Sequence, residues 1–150
     1  MRRTTLTKAV LACALLLPAA APLFAQARRD WEAARHPQEI LERFPPPRLA
    51  WRAVVPSVYR HQAWVYNLAG TASAIRFVNS GRPFVSGTVC KPHDCGGNTL
   101  AYLIAIDGSR AVGAMMLPQT GSGGRRELYF GAPTPQERAL LATELYRGWP

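Results

Sequence analysis

The segment Cys90-Lys91-Pro92-His93-Asp94-Cys95, followed by Gly96, Gly97 and Asn98, constrains this chain more than any other stretch. Two cysteines bracket four polar or turn-forming residues, and β-prone apolar sequence lies on both sides. Strand, short polar interruption, strand predicts a hairpin. If Cys90 and Cys95 are oxidised, that hairpin is laced at its neck by a covalent bond, which for so small a ring contributes roughly 2 kcal/mol. The larger effect is local, because a tied loop has fewer shapes to lose on binding. Pro92 fixes one φ angle and restricts Lys91 before it. Gly96 and Gly97 permit the positive φ that a sharp exit needs. The side chain at the apex is His93, so the segment reads as a stiff finger that presents an imidazole.

Oxidation depends on the compartment, and the N-terminus speaks to that. Arg2, Arg3 and Lys8 make a basic start, Ala9 to Leu17 is a short apolar run, and Pro18 to Ala27 is Ala-rich. This predicts a secretory leader, residues 1–27, cleaved after Ala25 or Ala27 and too short in its apolar part to be a lasting membrane anchor. Cys13 falls too early in the apolar run for a lipid-attachment site. The remaining domain, 28–150, keeps Cys90 and Cys95 in an oxidising compartment, the periplasm, where a disulfide is the default.

Of 18 basic residues, three leave with the leader, so 15 face 9 acidic ones and the domain carries about +6. Lys91 is the one lysine among those 15. In a cytosolic protein this balance would suggest nucleic acid. In an exported one it points to an anionic envelope or to an Arg-rich background, and no nucleic-acid role is expected.

Along the chain, Asp30 is a candidate cap for a short helical turn. Pro37 suits a first helical position after His36, and Ile40, Leu41 and Phe44 form an apolar stripe. Pro45-Pro46-Pro47 is expected to end that helix and run on as extended polyproline. Leu49 to Val55 is β-prone, and Tyr59 to Leu68 is ambiguous between helix and strand. Ala74 to Val78 and Phe84 to Val89 read as strands about an Asn79–Arg82 turn. Thr99 to Ile106 and Val112 to Leu117 pair about Asp107-Gly108, and Glu127 to Phe130 is a last short strand. Gln119 to Arg126 reads as a Gly/Ser-rich loop. Thr134-Pro135-Gln136-Glu137 matches a capping box. Leu141 and Leu145, with Ala142 and Tyr146, give the following helix its buried face until Gly148 ends it. The class is α+β: an antiparallel sheet of about five strands with flanking helices on one side, and a protruding disulfide-closed loop.

The chain has no Gly-rich phosphate loop, no Gly-x-Ser-x-Gly elbow and no His-Glu-x-x-His pair, so no enzyme is expected. A disulfide would also remove Cys95 as a nucleophile for His93 to activate. Cys90, His93 and Cys95, with His36 or His61, could be read as zinc ligands. The spacing does not match common zinc knuckles, and oxidised cysteines cannot ligate. Neither metal nor cofactor is expected. Trp51 and Trp64 read as core, with Trp149 a further aromatic, and Arg125 and Arg126 as a solvated loop pair.

Cys-Lys-Pro-His-Asp-Cys-Gly between two strands resembles the protruding loop of the Ivy family, the inhibitors of vertebrate lysozyme. The likeness extends more loosely over Trp64 to about Leu117. The resemblance implies an inhibitor of C-type lysozyme that plugs the active-site cleft with this loop. Carried over by position, His93 meets the catalytic carboxylates, Lys91, Pro92 and Asp94 shape and extend the contact, and Cys90–Cys95 holds the shape. Opening that bond is then expected to weaken binding. The alternative partner is the bacterium's own lytic transglycosylase, which cleaves the same glycan bond. Some members of the family pair and others do not, and no surface stripe here decides whether this one forms a homodimer.

Overall fold

The chain's first well-formed helix is set by its cap. The His36 Nδ1 accepts the Gln38 N–H at 3.2 Å, and Pro37 opens α1, Pro37–Arg43. Ile40 and Leu41 are buried beneath it. The computed structural model describes residues 26, 28–119, 121 and 124–147. The leader expected over 1–27 lies outside the described residues except at Gln26, as do Cys13, Gly148 and Trp149. Asp30 lies inside helical turns over 28–32 and does not cap them.

The three prolines do not form an extended connector. Phe44 closes α1, its N–H reaching Ile40 O at 3.0 Å, and also stands as the N-cap of α2, Pro45–Val54. The first-turn N–H groups of a helix have no intrahelical acceptor, so prolines there forfeit nothing. The strand expected over Leu49 to Val55 is therefore a helix. In a strand Leu49 and Trp51 would share a face; in a helix they part. Leu49 is 66% exposed, whereas Trp51 is fully buried and donates its Nε1–H to Val65 O at 3.0 Å. The ambiguous stretch that follows is helical, a 3₁₀ turn at Ser57–Tyr59 and α3, Ala63–Tyr66.

Six strands follow: β1 Thr71–Ala72, β2 Arg76–Asn79, β3 Pro83–Cys90, β4 Thr99–Ala105, β5 Ala111–Pro118 and β6 Arg125–Phe130. All neighbours are antiparallel, in the order β1-β3-β4-β5-β6, and β2 also pairs with β3. Thr71 lies opposite Cys90 at one end of β3, and Asn79 opposite Pro83 at the other. β1 and β2 are thus one edge strand broken over 73–75, and the sheet is the expected five-strand meander.

Helices cover both faces of this sheet, not one. On the first face Val89, Leu100, Tyr102, Ile104 and Met115 meet Ile40, Trp51, Trp64 and Val65. On the second, Phe84, Leu103, Val112 and Met116 lie under α4, Pro135–Arg147, through Leu141 and Leu145. Every residue of β4 is buried, the pattern of a strand covered above and below. Ala101, Ala105 and Ala114 on the second face leave room for the helix.

The capping box forms as expected, with Thr134 N–H to Glu137 Oε2 at 2.8 Å and Glu137 N–H to Thr134 Oγ1 at 3.2 Å. The buried face of α4 differs from expectation. Tyr146 is 63% exposed, and two glutamates are buried beside the leucines. Glu137 takes two hydrogen bonds from Arg110, at 2.6 and 2.7 Å. Glu144 pairs with Arg76 and accepts the Ser86 hydroxyl at 3.3 Å. The Arg110 guanidinium, with the Thr134 N–H, holds the Glu137 carboxyl down at about 2. Among the described residues no helix is long and apolar enough to cross a membrane.

Candidate functional site: the Cys90–Asn98 finger

β3 delivers the chain to the finger at Cys90 and β4 takes it back at Thr99, and these two residues are register partners. One step further out, the Lys91 N–H reaches Asn98 O at 3.0 Å. The neck is thus closed by the ladder itself. The disulfide is present, with the Cys90 and Cys95 Cα atoms 4.8 Å apart. It does not lace the neck. It ties the end of β3 to the middle of the loop and so closes only the half that carries the histidine.

That half is a tight turn, with Asp94 N–H bonded to Lys91 O at 3.0 Å and Pro92 second. His93 stands third, with φ +64°. A positive φ at the third position is the requirement of a type II turn. Left-handed backbone had been expected at Gly96 and Gly97, yet the positive-φ glycines among the described residues are Gly81, Gly108, Gly121 and Gly131. Histidine tolerates this region better than most residues with a side chain. The extra freedom of glycine serves another purpose at Gly97, where a Cβ would sit 2.9 Å from Asp94 Oδ1.

Lys91, Pro92 and His93 are exposed, whereas Asp94 and Cys95 are half-buried. Within the described residues the His93 imidazole makes no hydrogen bond or ion pair, so both ring nitrogens are available: one donor and one acceptor when neutral, two donors when protonated. Asp94 is turned the other way. Its Oδ2 accepts the Asn98 side-chain amide at 2.6 Å and faces Lys91 Nζ at 3.6 Å. That ion pair is half-exposed and contributes little. The Asp94 carbonyl accepts the N–H of Asn98 at 3.1 Å and of Gly97 at 3.4 Å. Thr99 Oγ1 donates to Cys95 O at 3.0 Å.

The sequence-predicted residues therefore lie together, but they divide: Lys91, Pro92 and His93 face outward, and Asp94 braces the loop. The side-chain hydrogen bonds of Asn98 and Thr99 to the loop were not anticipated. The available signal was the four-residue spacing from Asp94 to Asn98 and from Cys95 to Thr99. Trp51 and Trp64 are core, as expected. Among the described residues no group of three or more His, Cys, Asp or Glu could hold a metal ion. A cavity of about 630 Å³ lies at the opposite end of the sheet, against Arg82, Arg110 and Glu137. Its two cations are already engaged, Arg110 with Glu137 and Arg82 with the Ser109 hydroxyl at 2.7 Å.

A family model described as Inhibitor of vertebrate lysozyme (Ivy) matches residues 46–122, from α2 through β5, with the finger inside the match. The chain belongs to the Ivy family. Ivy relatives in Pseudomonas aeruginosa include a protein named Inhibitor of vertebrate lysozyme. It is 32% identical over 107 residues, covering 65% of this chain and 70% of the relative. An uncharacterised protein of the same organism is 31% identical over 140 residues, covering 88% of this chain and 90% of that one. The Ivy match leaves out β6 and α4, the part whose buried glutamates the sequence reading had not anticipated.

Proposed function

We propose that this chain inhibits C-type lysozyme by inserting the finger into the enzyme's cleft, His93 first. The observation that carries this reading is an exposed, unengaged imidazole at the tip of a doubly closed turn. Family membership and the name of the 32% identical relative supply the partner. Lysozyme cleaves its glycan with two carboxyl groups flanking the scissile bond. A protonated imidazole between them donates a charge-assisted hydrogen bond to each. Lys91 and Pro92 flank it on the same exposed segment, and Asp94 extends the contact with its remaining exposed edge.

In the same reading, residues 1–27 are the leader, 28–150 the inhibitor domain and the periplasm its place of action. A disulfide is suited to that compartment. The test is inhibition of a C-type lysozyme by the wild type and by His93→Ala. The expected loss is about 2 kcal/mol or more, the scale of a buried hot spot and about thirtyfold in the inhibition constant. An unchanged constant would refute the plug. A lytic transglycosylase assayed with the same preparation separates the two candidate targets, since stronger inhibition of that enzyme would move the function to control of the cell's own glycan.

A further inference from the structure

The disulfide and the hydrogen bonds of the finger hold different halves of it. Cys90–Cys95 fastens the histidine-bearing turn to the end of β3. Asn98 fastens the same turn to the start of β4, and it does so with three groups. Its side-chain amide reaches Asp94 Oδ2 at 2.6 Å, its N–H reaches Asp94 O at 3.1 Å, and its carbonyl accepts Lys91 N–H at 3.0 Å. Asp94 is the hub, because its own N–H closes the turn onto Lys91 O at 3.0 Å and so sets the backbone of His93. The absence of a side chain at Gly97 leaves the carboxylate its place, since a Cβ there would press on Asp94 Oδ1 at 2.9 Å. A hydrogen bond to a charged carboxylate is among the stronger kinds, and this one is half-shielded from water.

We propose that Asp94 and Asn98 are positioning residues forming a second, non-covalent latch, parallel to the disulfide, so that the finger keeps its shape and its activity when Cys90–Cys95 is reduced. Two latches in parallel behave non-additively: losing either costs little, and losing both frees the turn. Reduction still weakens binding in this account, but only slightly. The inhibition arm of the test rests on the lysozyme reading, and the spectroscopic arm does not.

The experiment uses the mature protein as wild type, Asn98→Ala, and the swap Asp94→Asn/Asn98→Asp, each with and without reductant. Backbone and side-chain amide NMR signals of residues 91–98 report the latch without any enzyme. Reduced wild type and oxidised Asn98→Ala should keep the folded pattern there, reduced Asn98→Ala should lose it, and the swap should restore it. Against a C-type lysozyme the two single losses should each weaken inhibition less than about fivefold and the combination about fiftyfold or more. Collapse of the finger signals in reduced wild type would overturn the proposal, as would a folded pattern in reduced Asn98→Ala or additive losses in inhibition. If the wild type inhibits no lysozyme while the signals behave as described, the functional reading fails and the latch stands.

Discussion

At residue 93 the backbone and the side chain make separate demands. The left-handed φ costs an L residue roughly 1–2 kcal/mol relative to glycine, so the turn alone would favour glycine at that position. In the proposed function it is the imidazole that offsets this backbone cost. Glycine is then the sharper substitution, since His93→Gly removes the imidazole and eases the backbone. Both His93→Gly and His93→Ala should lose inhibition to a similar degree, with thermal stability unchanged or raised for glycine. Retained potency in the glycine variant alone would mean that backbone shape, not the ring, makes the contact. A second residue carries a cost with no such return. The Tyr102 hydroxyl is fully buried with no hydrogen-bond partner among the described residues, and burial pushes its pKa up. Removing an unsatisfied buried hydroxyl forfeits no hydrogen bond and relieves its desolvation cost. Tyr102→Phe should therefore leave denaturant stability unchanged or raise it by up to about 1 kcal/mol.

Among the elements, α4 shows what pattern reading captures and what it does not. Its start was legible because the capping box is local: Thr134 and Glu137 satisfy each other within one turn. Its buried face was not, because Glu137 and Glu144 find their cations far away in sequence, Arg110 in the turn before β5 and Arg76 on β2, and sequence spacing carries no trace of that pairing. The pairing has a pH signature. The Glu137 carboxyl sits at about 2 in the fold, against an ordinary value of about 4.3 in the unfolded chain. A depressed carboxylate contributes stability that is full above the unfolded value and is lost as pH falls through the folded one. Glu137→Gln should thus cost about 2 kcal/mol at neutral pH, and the gap to wild type should close between about pH 4 and 2. Unfolding curves across that range check it, and a gap independent of pH would mean that the contact acts by packing rather than by charge. The finger divides in a similar way. Its cysteines, proline and histidine could be read directly, because each acts through its own covalent chemistry. The brace from Asp94 to Asn98 and the positive φ at His93 could not, because they depend on which carbonyl the turn selects.

For the whole molecule, the hairpins were legible and the layering was not. Alternation and turn residues give strand order, since each hairpin is a local event. Whether a second helical layer covers the sheet depends on distant segments. Its sequence trace, the alanines at 101, 105 and 114, is clear only once the helix above them is known. The N-terminal helices were obscured by Pro45-Pro46-Pro47, which can equally end one helix or begin the next. The outcome is a sheet clamped on both faces, which gives β3 and β4 a rigid base from which the finger projects. That rigidity is what an inhibitor needs if it is to lose little freedom on docking. The most direct test of the account is competition for the enzyme's cleft. Affinity of the inhibitor for a C-type lysozyme should fall in proportion as a chito-oligosaccharide fills the cleft, and undiminished binding to the saturated enzyme would contradict the insertion of His93.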